Sequence, residues 1–299
     1  MVCRGLWPSS GSRRPARAAP PGAEPMSFTA RLSAAAKWPA WRARRTLWKI
    51  NKRRYRPSFG PAYAPGLALR SMGTAYGGWT FVDDPQLRCA HIISCGLGTD
   101  ASFDIKFATH YGASTLIVDP TPSAIRHFRA IEARLGEPAA LPYPKKGNIP
   151  AEAYDLRAIR PGQLRLAPTA LWVEAGNIRF YAPPDNGVSH SINNYGNHYR
   201  HDTPYIEVAA APLDILMRDY GLSVPPLIKL DIEGAEIEVI HDMMEKGIFP
   251  QQILVEYDEL ARPSARNQAR IQDAHHALLA HGYLLVHCDG HMNFTYWRN

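Results

Sequence analysis

Residues 225–240, PPLIKLDIEGAEIEVI, bring Lys229, Asp231, Glu233 and Glu236 together within eight positions. Leu227 to Ile232 reads as a buried strand with Lys229 and Asp231 on one side of its pleat. Glu233, Gly234 and Glu236 then open a helix that continues to about Lys246. Burying a carboxylate costs several kcal/mol unless it is paired or ligated, and clustered carboxylates repel one another. Lys229 is the obvious partner. At the carboxyl edge of an open parallel sheet, such a cluster lies where ligands bind. The competing reading is that Glu233 and Glu236 complement the positive end of the helix dipole while Asp231 caps it.

A second constellation starts at residue 90. Ile92 and Ile93 mark a short buried strand that ends in the turn Gly96-Leu97-Gly98. A helix follows from about Ala101 to Tyr111, Gly112 stops it, and Ser114 to Val118 forms another strand ending at Asp119. Glycines let the backbone approach a ligand, the helix start offers free N–H groups, and an acid at the next strand end can accept hydrogen bonds from both ribose hydroxyls. An adenosine-type ligand is expected. Gly96, Gly98 and Ala101 also satisfy the dinucleotide pattern, so this segment alone leaves a nicotinamide-dependent dehydrogenase and a methyltransferase both open.

The elements that must position these groups form an alternating series. Pro120-Thr121-Pro122 opens a helix from about Ser123 to Leu135, with Ile125, Phe128, Ile131 and Leu135 on one face. Residues 136–169, with six prolines, read as a long surface connection that shapes the substrate site. Leu171 to Tyr181 reads as a strand or a hairpin around Gly176-Asn177, Tyr205 to Ala209 as another strand, Pro212 to Tyr220 as a helix, and Gln252 to Tyr257 as the fifth strand. A last helix, about Ser264 to His281, leads into the strands Tyr283 to Cys288 and Met292 to Trp297 around Asp289-Gly290. That terminal hairpin favours a methyltransferase sheet over a dehydrogenase.

Composition bounds the class. The 299 residues are 45% hydrophobic and 20% charged, enough for a large folded domain. No window has the roughly 18 apolar residues of a membrane span, and no secretory leader pattern opens the chain. Cys3, Cys89, Cys95 and Cys288 are too scattered for a disulfide framework, so a reducing, cytoplasmic compartment is expected. Of the net charge of +7, residues 1–57 alone contribute +13, with 14 Lys and Arg against Glu24, so residues 58–299 carry −6. The folded part is therefore not expected to bind nucleic acid.

Residues 1–57 form a basic arm. Its stretch 7–25, rich in Pro, Ser, Gly, Ala and Arg, is expected to be disordered. From Pro39 to Arg56 it reads as a helix with Trp41, Trp48 and Tyr55 on one face. Those aromatics either dock on the main domain or, with the basic side chains, engage an anionic membrane surface or the phosphates of a nucleic acid.

KLDIEGAE, followed by a helix and QQILVEYDE, resembles the FkbM family of S-adenosylmethionine-dependent methyltransferases, in which K-x-D-x-E-G-x-E closes the fourth strand. SCGLGTDASFD, residues 94–104, and VDPTP, residues 118–122, are similar to a branch of that family. The resemblance covers about residues 75–260. It implies a class I, Rossmann-like α/β fold with a seven-stranded, mostly parallel sheet ending in an antiparallel hairpin, within a methyltransferase domain at 58–299.

The resemblance further implies that Gly96, Gly98, Asp100, Asp119 and Pro120 hold S-adenosylmethionine, and that Asp231, Glu233 and Glu236 face the substrate. Ser94 departs from the acid common at its position in class I enzymes, so Asp100 or Asp104 is expected to take over the contact to the methionine amino group. Transfer to oxygen, on a sugar or other small-molecule acceptor, needs a base or a metal for the hydroxyl proton. Asp231 is the first candidate, in a catalytic set with Glu233, Lys229 and His190, and Asp231 with Glu233 could instead hold a divalent cation. His190, His198 and His201 lie in a polar insertion expected to cover the site, the last two beside the substrate. The alternatives are a nicotinamide-dependent oxidoreductase and a non-catalytic, membrane-associated binding module.

Overall fold

The computed structural model describes residues 43, 45–62, 64–144, 148–182, 190–192, 194 and 202–299. The disorder expected for residues 7–25, and Trp41, His198 and His201, lie outside the described residues. The chain divides into two units, Met1–Leu47 and Trp48–Asn299. In the first, residues 43 and 45–47 are helical and exposed. All that follows concerns the second.

A short helix, α1 (residues 48–54), is followed by an antiparallel hairpin of β1 (Leu69–Met72) and β2 (Trp79–Val82). The main sheet then begins with β3 (His91–Cys95), α2 (Ser102–Tyr111), β4 (Ser114–Val118), α3 (Pro122–Glu132) and β5 (Leu164–Ala167). It resumes with β9 (Leu227–Leu230), α5 (Glu236–Glu245), β10 (Gln252–Glu256), α6 (Ala265–Ala280), β11 (Tyr283–Cys288) and β12 (Asn293–Arg298). Between them, β6 (Ala170–Leu171), β7 (Gly176–Tyr181) and β8 (Tyr205–Ala211) form a separate three-stranded sheet, and α4 (Leu213–Asp219) returns the chain. The seven-stranded sheet has the order β11-β12-β10-β9-β3-β4-β5, parallel except at β12, which pairs antiparallel with β10 and β11. The expected mostly parallel sheet with its terminal hairpin is therefore present.

Alternation along the strands divides the core in two. Ile93, Ile228, Leu230, Ile253 and Val255 pack with α5 and α6 through Ile237, Ile240, Met243, Ile271 and Leu278. Their neighbours Ile92, Leu227 and Leu254 face the other way, against Phe103, Phe107 and Tyr111 of α2 and Phe81 of β2. Helix ends follow local chemistry: Thr121 caps α3 by accepting from Ala124 N–H, and Gly112 closes α2 at φ +63°.

Two expectations are corrected. Residues 136–169 are more than a surface connection. They contain β5, whose four residues pair with β4 as the sheet's edge, and they bury Ile149, Tyr154, Leu156 and Ile159 against α2 and α3. So short a strand, with Arg165 exposed between two leucines, lacks a strong period-2 signal. In addition, α5 begins at Glu236, and Glu233 with Gly234 lies in the preceding loop at φ +55° and +98°.

Two side chains of the sheet fasten the β1–β2 hairpin: Thr295 of β12 donates its hydroxyl to Thr80 O, and Gln252 of β10 pairs with Val82. Gln252 is fully buried; its Oε1 accepts from Val82 N–H at 2.8 Å and its Nε2 donates to Val82 O at 2.9 Å. Gln252→Leu strands both backbone groups and is expected to lower unfolding free energy by about 1–3 kcal/mol, read by urea titration.

Candidate active site

The sheet register sets one row of residues at the carboxyl edge. Val118 is level with Cys95, Cys95 with Leu230, and Leu230 with Val255. One residue further, Asp119, Gly96, Asp231 and Glu256 stand side by side at the ends of β4, β3, β9 and β10, with Glu256 opposite Asn293 of β12. Asp119 and Asp231, far apart in sequence, both line one pocket of about 320 Å³, together with Gly96, Gly98, Asp100, Pro120, Lys229, Glu233 and His190. The two sequence constellations thus meet in a single site.

Lys229 joins its halves. The buried ammonium donates to Cys95 O at 3.0 Å and Gly96 O at 2.5 Å, and lies 3.1 Å from Asp231 Oδ2 under the ring of Trp79. Burial alone would lower its pKa, but the carboxylates of Asp231 and Asp104 outweigh that and raise it. It is a fixed cation that ties the glycine turn to the β9 end. Gly96 is required there: at φ +84°, an added Cβ would fall 1.8 Å from Asp231 O.

The glycine turn is also braced from below. Asp119 Oδ2 accepts from Leu97 and Gly98 N–H, each at 2.9 Å, while Oδ1 accepts from Thr121 N–H and Oγ. Asp119 therefore holds the turn as well as lining the pocket. Asp100 is similarly engaged, accepting from Ser102 N–H and Thr74 Oγ. Tyr154, from the segment expected to be a surface connection, accepts from Ala101 N–H at 2.9 Å.

Asp104 behaves differently. It is 2% exposed and lines the pocket; its Oδ1 and Ser94 Oγ each lack a well-formed hydrogen bond among the described residues, the hydroxyl serving only as a weak contact that lowers the carboxyl's pKa. Burial pushes its pKa up to about 6, with Lys229 pulling the other way.

Glu236, expected to face the substrate, is turned into the protein. It is 1% exposed, accepting from Ile232 N–H at 2.7 Å and Gly234 N–H at 2.9 Å, and burial raises its pKa well above the usual carboxyl range. It shapes the loop that holds Glu233 in a left-handed conformation, a strain of the kind concentrated at functional sites. Ser191 Oγ adds a bond to Glu233 O at 2.7 Å, which brings the segment bearing His190 over the pocket.

Three contributors were missed from sequence. Glu256 lies at the end of β10, where burial first and then the charges of Asp231 and Glu233 push its pKa to about 8. An acid closing a buried strand, the reasoning used for Asp231, would have found it. His291 and Tyr76 enter from turns with no periodic signal. Among the described residues no group of three or more His, Cys, Asp or Glu is arranged to hold a metal ion, and Asp231 with Glu233 supplies only two such donors.

The family model for the methyltransferase FkbM domain matches residues 86–285. The chain belongs to the FkbM methyltransferase family. A search of curated proteins finds no match to the chain. The FkbM domain runs from just before β3 into β11 and so contains the glycine turn, the β9 carboxylates and Glu256. Membership favours neither the nicotinamide-dependent oxidoreductase nor the non-catalytic module. No helix among the described residues is long and apolar enough to cross a membrane.

Two measurements check this geometry. Lys229→Met leaves Asp231 and two carbonyls without their cation and is expected to destabilise by about 3–5 kcal/mol in denaturant melts. Because the folded pKa of Glu256 is raised, its contribution to stability is present below the ordinary 4.5 and fades as pH rises to about 8. Melting temperatures from pH 5 to 9 should therefore fall for wild type relative to Glu256→Gln, and parallel curves would contradict the assignment.

Proposed function

We propose that this FkbM domain is a class I, Rossmann-like enzyme that transfers a methyl group from S-adenosylmethionine to a hydroxyl of a small acceptor such as a sugar. The observation that carries the reading is Asp104: a buried carboxylate with an oxygen that lacks a well-formed hydrogen bond, inside a pocket walled by the glycine turn and the β9 carboxylates. A buried acceptor of this kind calls for a donor, and the ammonium of a methionine moiety supplies one. With Asp100 engaged by Thr74 and Ser102, Asp104 is the better of the two candidates for that contact.

In this reading the glycine turn lies against the nucleoside, with Asp119 and Pro120 beside the ribose. Asp119, whose two oxygens already accept four hydrogen bonds from Leu97, Gly98 and Thr121, serves this reading by keeping the turn in shape, and reaches the ribose hydroxyls only by sharing those bonds. S-adenosylmethionine, when bound, supplies an electrophilic methyl group for an in-line displacement. The chain supplies position and charge. Lys229 fixes Asp231 at the mouth, and Glu233 adds a second negative oxygen beside it. Glu256, its pKa raised to about 8 by burial and like charge, is a stronger proton acceptor than an ordinary carboxylate, and in its ionised form at mildly alkaline pH it can take the proton of an acceptor hydroxyl. The thioether leaves without taking up a proton, so the step needs only a base: Asp231 is the first candidate in this proposal and Glu256, adjacent on the sheet edge, the second.

Isothermal titration tests the cofactor without knowledge of the acceptor. S-adenosylhomocysteine should bind and NAD should not. Asp104→Asn should weaken that binding about ten- to hundredfold, the worth of a buried charge-assisted hydrogen bond. For wild type the affinity should fall as pH drops below about 6, where Asp104 becomes protonated. Tight NAD binding without a response to S-adenosylhomocysteine would overturn the reading.

A further inference from the structure

A second cavity, of about 420 Å³, lies between α1 with the residues that follow it and the β11–β12 turn. Its walls are aromatic and firmly placed. Trp48 donates its indole N–H to Ala261 O at 3.0 Å; Phe59 stacks on His275 at 3.7 Å between ring centroids and leans on Phe294. Around these walls stand Lys49, Lys52, Arg53 and Arg56, and no acidic side chain lines the cavity. None of the four makes an ion pair among the described residues; Lys52 instead lies over the ring of Trp48. Cations gathered around an apolar cleft without counter-charges are unusual in a domain whose residues 58–299 are net negative.

The partition between this cavity and the main pocket is the β11–β12 turn, and His291 lines both. A molecule seated in the second cavity therefore reaches the wall of the first. Flat apolar surface below and positive charge at the rim fit one ligand chemistry, an aromatic or other apolar body carrying a phosphate, sulfate or carboxylate.

We infer that this cavity is a binding site for an organic anion with an apolar body, and that it anchors the distal part of the methyl acceptor beside the reaction pocket. The anchoring role rests on the methyltransferase reading; the binding itself does not.

The test uses the full chain with S-adenosylhomocysteine saturating the main pocket and titrates 1-naphthyl phosphate, with 1-naphthol and inorganic phosphate as separated halves. The expected result is one saturable site for 1-naphthyl phosphate, at least about tenfold weaker binding of either half, and a loss of about tenfold in the Arg53→Gln/Arg56→Gln double variant, given the modest worth of each exposed cation. The double variant should keep its melting temperature and its affinity for S-adenosylhomocysteine. Equal binding of either half, an unchanged affinity in the double variant, or wild-type-specific retention on phosphatidylglycerol vesicles without binding of 1-naphthyl phosphate would each overturn the site. Failure of S-adenosylhomocysteine to bind, with 1-naphthyl phosphate still bound, would instead remove the anchoring role and leave the site standing.

Discussion

The ammonium of Lys229 is the interaction on which the site depends. It occupies a position where burial would ordinarily expel a cation, and it stays charged because Asp231 and Asp104 face it and two backbone carbonyls accept its protons. One side chain thereby joins the end of β3 to the end of β9. Without it, Asp231 would be an unpaired carboxylate, Asp104 would lose its nearest opposing charge, and the Cys95 and Gly96 carbonyls would be left facing the interior. Gly96 is the steric counterpart of this junction, since the approach of Asp231 O leaves no room for a Cβ.

Around that cation the carboxylates divide by what they touch. Asp119, Asp100 and Glu236 are spent largely on backbone N–H groups and hold two loops in shape. Asp231, Glu233, Glu256 and Asp104 line the space between those loops, together with Asp119 and Asp100. Proton affinity changes in both groups: burial raises Glu236, Asp104 rises to about 6 through burial, and Glu256 to about 8 through burial and like charge. One sheet edge thus sets two carboxyl groups of raised proton affinity, Asp104 and Glu256, around a fixed cation.

The elements outside the sheet core serve this edge. The segment from 136 to 169 reaches back through Tyr154 to the N–H of Ala101, and Ile149 N–H bonds to Thr99 O, so an apparent connection is a brace for the glycine turn. The hairpin of β11 and β12 completes the sheet and also sends its turn between two cavities. The basic helix α1 docks through Trp48, which gives its cations a fixed apolar floor rather than a purely solvated face.

The alternating strands and helices, the turn at Gly96 and Gly98, the charged end of β9 and the family resemblance that joined them were all legible in the order of the amino acids. Those signals are local, carried by period, glycine and residue type over stretches of a few turns. Tertiary structure alone decided which acids face the pocket. Glu236 stands three residues from Glu233 on what reads as one helical turn, yet the left-handed backbone at Glu233 and the buried N–H groups of Ile232 and Gly234 turn it inward. Glu256 became part of the site only through strand order, which sets β10 against β9 and brings two carboxylates level across 25 residues of chain. The short edge strand β5 gained its identity from its neighbour β4, because backbone pairing across a sheet is a long-range contact that no local pattern encodes.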